Sequence, residues 1–108
     1  MHRFSPWSDG PEDAPGGTLV VQVKVLGGLL DYPRGKSAMV WYGVVEDCTP
    51  AAVAEALARV AAALPGRPLV WRRLEVERPG VHVAELLARF EARFGGAPWG
   101  QGLVGLKS

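Results

Sequence analysis

The side chains best suited to acid–base chemistry lie near the start of the second predicted helix. His82 precedes Glu85 by three residues, so both lie on one helical face and the carboxylate could orient the imidazole. A position near the positive end of a helix favours the neutral imidazole. A solvent-exposed histidine without a chemical role is the competing interpretation.

The single cysteine, Cys48, precedes the predicted start of the first helix. The helix dipole could lower the pKa of its thiol and so favour a nucleophilic thiolate. No second cysteine and no histidine lies nearby in the sequence, so an inert, partly buried thiol is the alternative. One cysteine also excludes an intramolecular disulfide and a multi-cysteine metal site.

Basic and aromatic residues could converge on a small anionic or aromatic ligand if residues 27–36 fold over the predicted sheet. Aromatic rings stack on planar groups, and guanidinium groups bind anions. Arg72 interrupts an apolar row of its strand, so it must reach solvent, pair with a carboxylate or lie at a bulge. Scattered, solvated arginines explain the same residues. The candidate ligand-binding residues are Tyr32, Arg34, Arg72 and His82, with Lys36, Trp71 and Arg73 nearby.

Known catalytic and cofactor-binding motifs are absent from the sequence. It contains no Walker loop, dinucleotide-binding glycine pattern, zinc-ligand spacing, calcium loop or nucleophile elbow. We therefore assign no catalytic residue, cofactor or metal, and leave open whether the protein is an enzyme. The net charge of +1 argues against nucleic acid as a partner, although binding of a single strand through Trp and Arg is a third hypothesis.

The composition is that of an ordinary globular protein. No run of residues approaches the roughly 18 apolar residues of a membrane span, so we expect no membrane partner and a cytoplasmic protein. Abundant alanine, glycine and arginine suggest a bacterial origin.

Hydrophobic patterns predict a single α+β domain over residues 18–108, preceded by a flexible tail over residues 1–17 that is rich in proline and glycine. Two aromatic residues in that tail, Phe4 and Trp7, could dock on the domain. Gly43, inside a predicted strand, suggests a bulge or a close approach by another backbone. Predicted strands cover residues 18–26, 37–46, 68–77 and 103–106, and predicted helices cover residues 50–64 and 81–94.

This ββαβαβ order predicts a two-layer α/β sandwich. The first two strands would form an antiparallel hairpin with a long connection, and each helix would cross over between strands. The expected sheet is four-stranded and mixed, with both helices on one face.

The second face of such a sheet would be exposed in a monomer, and apolar surfaces of this kind usually mark interfaces. We therefore predict a non-enzymatic protein that binds a partner protein or another copy of itself, for example as a homodimer. The alternative is a small enzyme or ligand-binding protein with a pocket between the sheet and the 27–36 loop. The candidate interface residues are Met39, Trp41, Tyr42 and Trp71.

Overall fold

A computed structural model of the chain describes residues 4–101. The fold is α+β, with two helices, a three-stranded sheet and a two-stranded sheet. The predicted final strand at residues 103–106 lies outside the described residues. The elements are β1 (Leu19–Val25), β2 (Leu30–Tyr32), β3 (Gly35–Ser37), β4 (Met39–Val45), α1 (Pro50–Ala63), β5 (Leu69–Leu74) and α2 (Pro79–Phe94), with a short 3₁₀ turn at Pro11–Asp13.

The main sheet has the order β4-β1-β5, and β1 pairs antiparallel with both neighbours. The predicted antiparallel pairing of the first two long strands is therefore confirmed. The predicted mixed sheet is not seen in residues 4–101, where every strand pairing is antiparallel. Strands β4 and β5 run in the same direction, but β1 lies between them, so the α1 crossover joins strands that are not neighbours.

The long connection after β1 is partly structured. Strands β2 and β3 form a small hairpin within it, so the described elements follow the order ββββαβα and differ from the predicted ββαβαβ. The hairpin shortens the free loop on either side of it.

The two helices cover opposite faces of the main sheet. The odd-numbered residues of β1 pack with Val53 and Val60 of α1, whereas Val20 packs with Val83 and Phe90 of α2. Successive side chains of a strand point to opposite faces. The prediction that both helices cover one face is therefore wrong, because β1 carries apolar side chains on both sides and each side needs its own cover.

The predicted exposed aromatic face is also wrong. Trp41 and Tyr42 are 5% and 7% exposed, and Trp71 is 0% exposed, while Met39 is half-buried. Trp41 and Trp71 belong to the core under α1, and Tyr42 belongs to the core under α2. One helix on each face leaves no bare sheet surface at these four positions.

Local sequence signals determine where the helices begin and end. Thr49 caps α1 by accepting a hydrogen bond from the Ala52 N–H at 3.2 Å, and Pro50 takes the first helical position. Pro79 likewise takes the first helical position of α2. This helix therefore begins two residues before the predicted start at residue 81. Gly95 ends α2 with a φ of 83°, a left-handed conformation that suits glycine.

The N-terminal segment, residues 4–10, covers the outer edge of β5. Ser8 and Trp71 exchange two backbone hydrogen bonds of 2.8 and 2.9 Å, and the Ser5 N–H donates to the Arg73 carbonyl at 2.9 Å. The Trp71 indole N–H donates to the Gly10 carbonyl at 2.8 Å. These contacts supply partners for polar groups that β5 would otherwise leave open. The flexibility expected of residues 1–17 concerns motion and stays a prediction.

Gly43 is required by the position of a neighbouring side chain. A Cβ atom at this position would overlap the Trp41 indole, which lies across the glycine on the α1 face. The bulge of β4 lies instead at Val40, where the register against β1 shifts. This irregularity places Val40 and Trp41 together in the core under α1.

We predict that Gly43→Ala destabilises the protein, because the added methyl must displace the buried Trp41 ring. Overpacking of this kind costs about 1–3 kcal/mol, which urea unfolding would measure. Gly80→Ala is the matched control, since open space surrounds Gly80 near the start of α2. Equal unfolding free energies for the two variants would contradict this account of Gly43.

Candidate functional site

Tyr32 joins three parts of the fold through its hydroxyl group. The hydroxyl donates to the Met39 carbonyl at 2.7 Å and accepts from the Trp99 N–H at 3.0 Å. Its ring meets the Phe90 ring edge to face, with 4.9 Å between centroids. The side chain is buried, so its polar atom is already used within the chain.

Arg34 caps the C-terminal end of α2. Its guanidinium donates to the Ala92 carbonyl at 2.6 Å, and its backbone N–H donates to the Phe94 carbonyl at 2.8 Å. A cation at this end of a helix meets carbonyl groups that have no intrahelical partner. His82 lies ten residues earlier in α2, about 15 Å away along the helix axis. The structure therefore does not bring Arg34 and His82 into one pocket.

Arg72 lies between two aromatic rings on the α2 side of the sheet. Its guanidinium carbon is 4.5 Å from the Phe4 ring centre and 4.4 Å from the Trp7 ring centre, and its Nε donates to the Gln22 side chain at 2.8 Å. Burial lowers the pKa of Arg72, and the nearby Tyr42 partly offsets this effect. Cation–π contacts and an amide acceptor thus hold this guanidinium in an apolar row.

The remaining chemical candidates do not form a catalytic group in residues 4–101. His82 and Glu85 line one shallow surface depression, and no hydrogen bond joins them there. Cys48 is fully buried, and this burial raises the pKa of its thiol, with Arg73 opposing the effect. The pKa shift is opposite to the one expected from the helix dipole, so the structure favours the inert thiol.

A groove with a volume of about 740 Å³ follows the outer edge of β4. It is open to solvent and lies between the two helices. One wall comes from the small residues Ala52 and Ala56 of α1, and Val83 of α2 belongs to the other. Gln101 lies at one end, and Val44 of β4 lines the floor.

The first half of the β4 edge already has hydrogen-bond partners. The Gly100 N–H donates to the Val40 carbonyl at 2.8 Å. The Gln101 side chain accepts from the Tyr42 N–H at 3.1 Å and donates to the Tyr42 carbonyl at 2.6 Å. The Val40 carbonyl and both outward backbone groups of Tyr42 therefore have partners in the segment that follows α2.

The second half of this edge, at Val44, has no partner in the part of the chain that the structure describes. Backbone groups of an edge strand alternate between the neighbouring strand and the outside, so the N–H and carbonyl of Val44 point outward like those of Tyr42. Between residues 4 and 101, neither group of Val44 has a hydrogen-bond partner on this outer side. An unpaired strand edge of this kind is a template for pairing with another chain.

The charges around the groove are unevenly paired. Arg59 and Glu55 of α1 form an ion pair at 2.8 Å. The exposed carboxylate of Glu46 also lines the groove, and no cation of the described part of the chain pairs with it. The buried Trp41 Nε1 has no hydrogen-bond partner among residues 4–101. The groove therefore combines apolar walls, open backbone groups and one unpaired negative charge.

Comparisons with known proteins add no assignment to this site: no protein-family model, curated protein or solved structure matches the chain. Across residues 4–101, no cluster of His, Cys, Asp and Glu could hold a metal ion. No helix in that range has the length and apolar character needed to cross a bilayer.

Val44, Ala56 and Gln101 are site residues that no motif in the sequence marks. The apolar character of both faces of β4 was visible, but the position of β4 at the edge of the sheet was not. Gln101 is a single polar residue between two glycines, and no local pattern connects it to Tyr42.

We predict that Arg72→Met weakens the docking of the N-terminal segment, because it removes the charge between the two rings and the bond to Gln22. The combined loss should lower the unfolding free energy by about 2 kcal/mol. Chemical denaturation would measure this loss, with Arg89→Met on the exposed side of α2 as the control. An equal, negligible effect of both changes would contradict the role of Arg72.

We predict that the protein loses stability in alkaline solution. Burial raises the pKa of Tyr32 and of Tyr42 above the ordinary value of 10.0, with smaller opposing contributions from the Trp99 N–H and from Arg72. The unfolded chain therefore loses these protons first as the pH rises. The tyrosine contribution is fully present below pH 10 and disappears as the pH passes the raised pKa values. Urea unfolding and tyrosinate absorbance across this range would check it, and a constant free energy of unfolding would contradict it.

Proposed function

We propose that this chain is a non-enzymatic interaction protein that binds an extended segment of a partner protein along the open end of β4. The observation that carries the proposal is the pair of outward backbone groups on Val44, which lie at the floor of the groove between α1 and α2. An extended segment that pairs with these groups would add a strand to the sheet.

The walls of the groove suit the side chains of such a segment. Alternate residues of a strand point to opposite sides, so they would face α1 and α2 in turn. Ala52 and Ala56 leave space for large apolar side chains on the α1 side. Val83 offers an apolar contact on the α2 side.

Charge complementarity defines the partner further. Arg59 is neutralised by Glu55, and Glu46 is then the unpaired charge among the described residues that line the groove. A Lys or Arg near the end of the bound segment would pair with Glu46 and add specificity more than affinity. We therefore expect a partner segment with alternating apolar residues and a basic residue at one end.

This proposal retains protein binding as the function and places it at the edge of the sheet, since both faces of the sheet are covered. No observation within residues 4–101 favours the alternative pocket beside the 27–36 loop. Tyr32 and Arg34 of that loop bind the chain's own backbone, and Arg72 is enclosed by Phe4 and Trp7.

The test uses a blocked model peptide of alternating Val and Thr that ends in Lys. We expect titration of the isotope-labelled protein to shift the backbone amide signal of Val44 most strongly. A peptide of the same sequence with N-methyl groups on alternate peptide nitrogens should not bind, because it loses the donors for strand pairing. A peptide that ends in Glu should bind more weakly because of Glu46.

Ala56→Gln is the matching protein variant, since a longer side chain at this position fills the groove. Ala62→Gln, on the exposed side of α1, is its control and should bind like the original protein. Equal binding of the methylated and unmethylated peptides, or no shift at Val44, would overturn the proposal. Dimerisation that protects the Val44 amide without peptide would also overturn it, in favour of another copy of the chain as the occupant.

A further inference from the structure

We propose that the side chain of Gln101 is a displaceable cap that sets how much of the β4 edge a bound segment can use. This inference rests on the proposed function, because it concerns the same groove. It assigns to Gln101 the role of a residue that determines the length and affinity of the bound segment.

The hydrogen bonds of Gln101 reproduce those of a neighbouring strand. Its Oε1 accepts from the Tyr42 N–H at 3.1 Å, and its Nε2 donates to the carbonyl of the same residue at 2.6 Å. In an antiparallel pair, two opposite residues exchange this same pair of N–H to carbonyl bonds. The carboxamide therefore occupies the place that a backbone peptide group of an added strand would take.

The main chain before Gln101 has hydrogen bonds that do not involve the Gln101 side chain. The Trp99 N–H donates to the Tyr32 hydroxyl, and the Trp99 indole donates to the Asp31 carbonyl at 3.0 Å. Gly100 approaches β4 so closely that a Cβ atom there would lie 2.9 Å from the Val40 carbonyl oxygen. A rotation of the Gln101 side chain alone would therefore uncover Tyr42 while the backbone of residues 98–100 stays in place.

Removal of the cap changes the binding site in a defined way. With Gln101 in place, a bound segment finds its first free backbone groups at Val44. With the side chain turned away, the N–H and carbonyl of Tyr42 become available as well. A longer segment would gain these two bonds, but it must first displace the two bonds that Gln101 makes.

The first test uses the free protein and measures hydrogen exchange at single amides. We expect the Tyr42 amide to exchange about tenfold faster in Gln101→Ala, as the loss of one neutral hydrogen bond implies. The Gly43 amide points toward β1 and should not change, so it serves as the internal control. Gln101→Glu keeps an acceptor for Tyr42 and should give an intermediate rate. An unchanged rate of hydrogen exchange at the Tyr42 amide in Gln101→Ala would contradict the role of Gln101 as a cap.

The second test compares two model peptides of alternating Val and Thr that end in Lys, the longer one extended by two residues so that it reaches Tyr42. We expect both peptides to bind the original protein with similar affinity. The longer peptide forms two extra bonds with Tyr42, but the two bonds between Gln101 and Tyr42 must break first. In Gln101→Ala, the longer peptide should bind about tenfold more tightly than the shorter one.

The two tests separate the cap from the proposed function. An equal affinity of both peptides for Gln101→Ala would overturn the cap while strand binding stands. An absence of peptide binding by both proteins would overturn the proposed function, and the exchange rate of Tyr42 would still decide whether Gln101 shields this edge.

Discussion

The structure depends on the burial of β1 on both of its faces. Val20 points toward α2, while Val21 and Val23 point toward α1, and all three are fully buried. Burial of such a side chain contributes roughly 1.5–3 kcal/mol relative to its exposure. Each face of the strand therefore needs a helix as cover, which explains why α1 and α2 lie on opposite sides of the sheet. Strands β4 and β5 pair with the backbone groups on its two edges.

Because β1 is central, β4 and β5 are the edge strands of the main sheet. Their outer edges are covered by different segments and to different extents. The N-terminal segment covers β5 with backbone bonds from Ser5 and Ser8. Among the described residues, which end at 101, the segment after α2 covers β4 as far as Tyr42. Uncovered strand edges tend to pair with other chains, so folded proteins usually cover or charge them. The half-covered edge of β4, with Glu46 beside it, is the place where such pairing would be selective.

The polar residues that first suggested chemistry serve mainly to complete the fold. Tyr32 satisfies backbone groups of two other segments, and Arg34 satisfies the last carbonyls of α2. Arg72 is held by Gln22 and by two rings of the N-terminal segment. Buried polar groups need partners wherever they lie. A residue type that is common in active sites is therefore weak evidence for one when its partners are backbone atoms.

Local features of the fold could be predicted from the sequence, because short-range interactions determine them. Thr49 and Pro50 mark the start of α1, Gly95 marks the end of α2, and alternating apolar residues mark the long strands. The face that each helix covers and the strand that lies at an edge depend on residues far apart in the chain. The candidate site also depends on long-range pairing. Gln101 meets Tyr42, and Val44 lacks an outer partner within residues 4–101, only because β4 lies at the edge of the sheet. The sequence thus determined the long strands and the helices. The tertiary structure decided which backbone groups remain available, because hydrogen bonding between strands is settled by long-range pairing.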